Sequence, residues 1–195
     1  MNLERFSDQE LIKGFNEGNK ECLEILIKKH QKKVYSYIFM TVKNQHVADD
    51  IFQETFIKVV NSLKNGCYSD QGKFTSWVTR IAHNIIIDYY RKEKAENTIS
   101  NDDSEVDFFN NQKYSDSTIE DLIVNEQIFE DVGKLIDYLP PEQKEIIILR
   151  HYSGMSFKDI AELTNVSINT ALGRMRYAII NLRRIVEEKQ IILTK

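Results

Sequence analysis

The side chains in this sequence best suited to chemistry are hydrogen-bonding cations and amides near its C-terminal end. Asn169, Thr170, Arg174, Arg176, Tyr177, Arg183 and Arg184 fall within Val166–Arg184, a stretch without a single Asp or Glu. Guanidinium groups donate in a fixed fork that matches phosphates and the guanine edge, so this chemistry is recognition of nucleic acid. At about 100° per residue, Ala171, Met175, Ala178, Leu182 and Ile185 form one apolar stripe. Asn169, Gly173, Arg176, Tyr177, Arg183 and Arg184 lie on the far side. Ser167 stands at the N-cap position, and the unpaired amides of the turn it opens suit a phosphate.

The elements that must hold this helix are legible just before it. Ser156-Phe-Lys-Asp159 resembles an acidic capping box and opens a short helix through Leu163, after which Thr164-Asn165 makes a break. Two helices joined by so short a turn, the second one basic, form the helix-turn-helix pattern. Leu139-Pro140-Pro141-Glu142 reads as a helix start, and Ile146-Ile147-Ile148-Leu149 supplies the buried helix for the other two to pack against.

Composition narrows the class. With 195 residues, two prolines, seven glycines, 42% hydrophobic and 29% charged residues, the chain favours helices over a turn-rich β fold. Cys22 and Cys67 are too few for a disulfide framework and lack metal-type spacing. No secretory segment begins at Met1, and no apolar run is long enough to span a bilayer, so a cytoplasmic setting is expected. A net charge of −4 sits oddly with DNA binding. Its distribution explains it: between Glu93 and Asp121 the acids Glu93, Glu96, Asp102, Asp103, Glu105, Asp107, Asp116, Glu120 and Asp121 face only Lys94 and Lys113. The rest of the chain is net positive. An acidic protein with one basic helix binds DNA weakly alone and needs a larger partner.

Residues 1–92 read as helical, within a first domain of 1–94. Ser7-Asp-Gln-Glu10 is a capping box. A second helix is expected from about Lys20 to Phe39, with Leu23, Leu26, Ile27, His30 and Val34 inward. A third runs from Val47 to Leu63, burying Ala48, Ile51, Phe52, Thr55, Phe56, Val59 and Leu63 and exposing Asp50, Gln53, Glu54 and Lys58. Lys64–Lys73 interrupts with two glycines, and a fourth helix follows from Phe74 to about Arg91. Its expected outer side is Ser76, Thr79, Arg80, His83, Ile87, Tyr90 and Arg91, flanked by Asn84 and Asp88; Phe74, Trp77, Val78, Ile81 and Ile85 are its core side. Residues 95–118 lose periodicity and read as an acidic linker, with Phe108-Phe109 as an exception able to dock. Helical signal returns at Ile119 and continues to about Lys189, within a second domain of 119–195. The expected architecture is all-α, with two small helical domains. Roughly 25 linker residues reach up to ~80 Å, more than two turns of DNA at ~34 Å each.

Two blocks carry a specific resemblance. Asp49-Asp-Ile-Phe-Gln-Glu-Thr-Phe-Ile-Lys58, with Phe74-Thr-Ser-Trp-Val-Thr-Arg-Ile-Ala-His-Asn-Ile-Ile-Ile-Asp88, resembles region 2 of the extracytoplasmic-function (ECF) sigma factors of bacterial RNA polymerase. Leu139-Pro-Pro-Glu-Gln143, Gly154-Met-Ser-Phe157, Asp159-Ile-Ala161 and the basic helix resemble region 4 of the same group. The resemblance implies a promoter-specificity subunit that binds core RNA polymerase, through the β′ coiled coil and the β subunit, and promoter DNA. It places β′ contacts on Asp50, Gln53 and Glu54. It places reading and opening of the −10 element on the Lys64–Lys73 loop and on Thr79, Arg80, His83, Asn84 and Arg91, with Lys73 at the loop's end and Tyr68 or Tyr90 available to stack on a base. At the −35 element it puts Asn169, Gly173, Arg174 and Arg176 near bases, and Thr170, Tyr177, Arg183 and Arg184 on phosphates. Ser167 caps that helix. Leu172 and Tyr177 stand where many relatives carry lysine and arginine, so this helix is less basic than is usual in the group. The resemblance also implies an anti-sigma partner, often membrane-anchored, no cofactor and no small-molecule substrate. The linker would thread a polymerase channel, with Asp102, Asp103, Glu105 and Asp107 mimicking nucleic-acid charge.

Two other readings stay open on the residues alone. A stand-alone helix-turn-helix repressor explains the C-terminal block equally well. A metal-dependent hydrolase could be built on His46, Asp49, Asp50, His83 and Asp88, but no second carboxylate–histidine pair completes its site.

Overall fold

The computed structural model describes residues 5–68, 72–97, 133 and 135–189. Four helices make the N-terminal half: α1 (Asp8–Asn16), α2 (Lys20–Val42), α3 (Gln45–Lys64) and α4 (Phe74–Asn97). The C-terminal half comprises α5 (Pro141–Ile147), which continues as a π-helical turn (Ile148–Tyr152), then α6 (Phe157–Leu163) and α7 (Ile168–Glu188). The expected linker and Phe108-Phe109 lie outside the described residues.

Local signals start and stop these helices where the sequence puts them. Ser7 and Glu10 form the reciprocal capping box, with Ser7 N–H donating to Glu10 Oε2 at 2.7 Å. Asn19 and Asn44 accept from the first-turn amides of α2 and α3. α2 runs three residues beyond its expected end and stops at Lys43, whose φ of 53° is left-handed. Pro141 opens α5 at the one turn where a missing N–H costs nothing. In the turn between α6 and α7, Asn165 adopts φ 53°, a conformation Asn tolerates better than most side chains.

α2 is the central element. It packs on α1, α3 and α4, and another part of its surface meets the π-helical turn of the C-terminal half. Leu26, Val34, Tyr37 and Ile38 are fully buried along it. Leu135, Ile136, Ile148, Leu149, Met155 and Ile160 join the same buried cluster from the C-terminal side. The two halves are therefore in contact, although the sequence pattern suggested separate units on a long tether. Polar links reinforce that contact. Asp137 is ion-paired to Lys43 at the end of α2 and, at 2.7 Å, to the buried Lys144 of α5.

Candidate nucleic-acid interface

α7 is a basic helix seated on a small-residue stripe. Ala171 and Ala178 are fully buried and Ile185 nearly so, and these small contacts let α7 lie close on α5 and α6. Asn181 fastens it further by donating to Gln143 Oε1 at 2.8 Å. Ser167 accepts from the Thr170 amide at 3.0 Å, as the N-cap reading requires. Asn169, Thr170, Arg176, Tyr177, Arg183 and Arg184 are all exposed. A Cβ added at Gly173 would meet nothing within 4 Å, so the helix surface there is open to close approach. Arg174 departs from the group: it is half-buried and lies close enough to Glu145 of α5 to lower that carboxyl's pKa. Burial is the stronger influence on Glu145 and pushes it up to about 7, with Glu142 adding to the rise.

α4 presents a narrower surface than its periodicity suggested. Thr79 is fully buried and Tyr90 is 5% exposed, so both are corrected from outer-face to inner positions. His83 is half-buried and shares a 2.8 Å hydrogen bond with Tyr37 of α2. Burial draws its pKa down to about 4, leaving the imidazole neutral near pH 7. Two further links show what these residues face: Thr75 Oγ1 lies 2.8 Å from His30 Nδ1, and Tyr90 Oη donates to the Thr41 carbonyl. The polar flank of α4 is thus turned inward, and for Thr75, His83 and Tyr90 hydrogen bonds to α2 replace the water that periodicity assumed, whereas the buried Thr79 hydroxyl has no hydrogen-bond partner among the described residues. Arg80, Asn84 and Arg91 remain exposed, as does Lys73 at the start of the helix. Tyr68 is half-buried, its ring 4.4 Å from Trp77 and edge-on to Phe74.

Lys73 and Arg80 do not face solvent alone. Lys73 Nζ lies 2.6 Å from Asp159 of α6, and Arg80 lies 3.5 Å from Glu162 of the same helix. Burial works to raise the Asp159 carboxyl, but hydrogen bonds from Lys73 and Ser156 hold it below the usual carboxylate range. The same pair holds the Lys73 ammonium above its ordinary value. An open cleft of about 360 Å³ adjoins this face, lined by Lys58, Asn61, Ser62, Asn65, Cys67, Ile81 and Asn84. Asn61 and Ser62 escaped the sequence reading because they sit inside α3; the signal available was three amide or hydroxyl residues crowding its last turn.

On α3, Asp50, Gln53 and Glu54 are also exposed, with Glu54 paired at 2.9 Å to Lys58, which lines the cleft. Ile57, 60% exposed beside them, was also missed; an apolar residue on a polar face was its only sign. Asp49, from the hydrolase reading, accepts a hydrogen bond from Tyr35 at 2.8 Å.

An all-α molecule with a helix-turn-helix and two outward basic helix faces belongs among nucleic-acid-binding proteins. Comparison with known proteins narrows this. Residues 26–96 match the Sigma-70 region 2 family and residues 129–172 match Sigma-70, region 4. The chain is 30% identical over 174 residues to RNA polymerase sigma factor SigV of Bacillus subtilis, covering 88% of this chain and 94% of that one. It is 27% identical over 190 residues to the ECF RNA polymerase sigma-E factor of Haemophilus influenzae, covering 95% and 96%. Its fold matches that of CnrH, solved in complex with the cytosolic domain of CnrY, with TM-score 0.65 at 18% identity over 94% of this chain and 99% of that one. RpoE of Bartonella quintana, solved with the anti-sigma factor NepR, matches with TM-score 0.63 at 19% identity, covering 85% and 96%. The chain belongs to the ECF sigma factors, the subunits that direct RNA polymerase to promoters and start transcription there. The repressor reading gives way to this one, since it leaves the N-terminal match unexplained.

Proposed function

We propose a division of labour within this sigma factor: α7 reads the −35 element, and α4 with the loop before it reads and opens the −10 element. The observation that carries the first part is a helix face, free of acids as far as Val186, with Asn169, Thr170, Arg176, Tyr177, Arg183 and Arg184 exposed above a buried alanine stripe; in the last turn Glu188 pairs with Arg184 at 3.8 Å. Arg176 is the best candidate for bidentate contact to guanine, and Asn169 for adenine. Arg174 supports α7 from its position beside Glu145. Ser167 and the amides it leaves open in the first turn hold a phosphate.

At the −10 element the cations are Lys73, Arg80 and Arg91, with Asn84 beside them. The cleft lined by Asn61, Asn65 and Asn84 receives an unstacked base, whose Watson–Crick edge needs such amide donors and acceptors. Tyr68 offers a ring for stacking next to it. Thr79, His83 and Tyr90 act by shaping α4 from within. Asp50, Gln53 and Glu54, with Ile57, form the face for the β′ coiled coil. Domains at 1–94 and 119–195, joined by 95–118, fit this division. The protein carries no catalytic residues of its own and works in the cytoplasm, where the polymerase performs the chemistry; among the described residues no helix is long and apolar enough to cross a membrane. Because RpoE and CnrH were solved with NepR and CnrY, an anti-sigma partner is part of the proposal.

In vitro transcription from a library of the host's promoters, with core polymerase alone and with this protein added, tests the assignment. Transcripts made only in its presence should share two elements. Arg176→Ala should then relax selection at one position of the upstream element, and Arg80→Ala should weaken the downstream one. Unaltered selection in both variants overturns the assignment.

A further inference from the structure

We propose that α2 carries a further, sequence-independent DNA surface: a ridge of Lys28, Lys32 and Lys33 that holds backbone phosphates of the promoter strand beside the N-terminal end of α4. The assignment rests on the reading of α4 as the −10 helix. Residues 28–33 read Lys-Lys-His-Gln-Lys-Lys, a density of cations typical of nucleic-acid patches. They fall in Ile25–Ala48, which contains no Asp or Glu. That run and the one holding the cations of α7 are the two longest acid-free stretches of the chain. All four lysines are exposed. Lys29 is answered by Asp8 at 2.8 Å, whereas Lys28, Lys32 and Lys33 have no ion-pair partner among the described residues.

A helix face that serves only solvation mixes its charges, and the other helices do so. Lys13–Glu17 on α1, Glu54–Lys58 on α3 and Arg184–Glu188 on α7 are opposite-sign pairs four residues apart, at 3.9, 2.9 and 3.8 Å. On α2 the same spacing sets Lys28 over Lys32 and Lys29 over Lys33, like charges that weaken the helix. A bound polyanion relieves that repulsion. His30, buried in the middle of the run, fixes the ridge to α4. Its Nδ1 lies 2.8 Å from Thr75 Oγ1, its Nε2 lies 3.0 Å from Asp8, and its ring centroid is 5.0 Å from that of Phe74. Phe74 and Thr75 directly follow Lys73, so the ridge is anchored at the turn where the −10 face begins. Chemistry selects the occupant. Lysine is a point charge without the fork that reads guanine, so the ridge grips phosphate whatever the base. Protein interfaces are depleted in lysine and centred on apolar anchors, and residues 28–33 contain none.

The test uses holoenzyme assembled from core polymerase and the full chain carrying Lys28→Gln, Lys32→Gln and Lys33→Gln together. Fluorescence anisotropy gives its affinity for a promoter fragment held open over the −10 element by mismatches, at salt from about 50 to about 300 mM. Each phosphate contact to a single strand contributes about 0.7 to the slope of log affinity against log salt. Loss of all three should flatten the slope by about 2 and weaken binding roughly 10-fold, equally on fragments with an intact and a scrambled −10 sequence. Lys28→Arg, Lys32→Arg and Lys33→Arg together should restore both, since only the charge is needed. A slope equal to the parent's overturns the ridge. Weaker assembly with core polymerase at unchanged DNA affinity overturns it in favour of a protein partner, and a loss confined to the intact sequence overturns its sequence independence. Arg80→Ala in the same assay tests the −10 reading separately, because it should narrow the difference between the two fragments. No narrowing would remove Arg80 from −10 recognition, whatever the lysine variant shows.

Discussion

α4 and α7 are both long, polar-flanked helices proposed to meet DNA, yet they are built differently. α7 is supported from one side, by α5 and α6, so its outward residues follow the helical period and its polar positions are exposed, save Arg174 and Asn181 at the edge of the contact. α4 is wedged against both α2 and α3, so a broader arc of it is buried. Thr79, His83 and Tyr90 fall within that arc. Polarity alone thus reports exposure on a helix with one supporting side. On a helix with two, a polar residue is as readily an internal one: His83 and Tyr90 find hydrogen-bond partners on α2, and Thr79 is buried without one among the described residues.

The comparison breaks most decisively at the buried stripe of α7. Ala178→Asp places a carboxylate where exposure is zero and should unfold the C-terminal half at a cost of roughly 3 kcal/mol or more. Loss of the cooperative thermal transition would show it, and a normal melt would mean that α7 is not seated as described. Arg176→Ala should cost about 1–3 kcal/mol in −35 affinity with the melting temperature unchanged, measured on duplex DNA in the holoenzyme.

pH sharpens the contrast further, because the buried titratable groups of the two halves have opposite signs. Glu145 is held near 7 when folded against 4.5 for an ordinary glutamate, so the folded state retains the extra proton and stability falls as pH rises through that window. Glu145→Gln should therefore stabilise by about 1–2 kcal/mol at pH 8, allowing for partial exposure, and by little near pH 4.5. His83 behaves the other way. Its folded pKa of about 4 lies below the ordinary 6.5, so the unfolded chain takes the extra proton and stability is lost as pH falls from 6.5 toward 4. His83→Asn should flatten that acid limb in a pH series of denaturant melts; an unchanged limb would assign it to other groups. Smallest of all, Ser167→Ala removes only the α7 cap and should cost about 1 kcal/mol. Hydrogen exchange confined to the first turn of α7 would register it.

Much of this was legible in one dimension. Caps at Ser7, Ser156 and Ser167, the Pro141 start and the Asn165 break are decisions made within a few residues, and the structure follows them. The π-helical turn after Ile147 left no comparable sign, because one residue's shift in hydrogen-bonding register leaves the apolar run intact. The polar lining of the cleft escaped as well, since Asn61 and Asn84 are brought together only by the packing of α3 on α4.

By itself, the sequence determined which segments are helical, where most of them begin and end, which face of α7 carries the cations, and the family to which the chain belongs. These depend on local hydrogen-bond competition and on the period of a single helix. Tertiary structure decided the rest: that α2 is covered by both halves, that Thr79 and His83 turn inward, and that Asp159 and Glu162 meet Lys73 and Arg80. Those pairs are separated by more than eighty residues, and charge carries no address along a chain. Only the burial of apolar surface between the halves brings them within range.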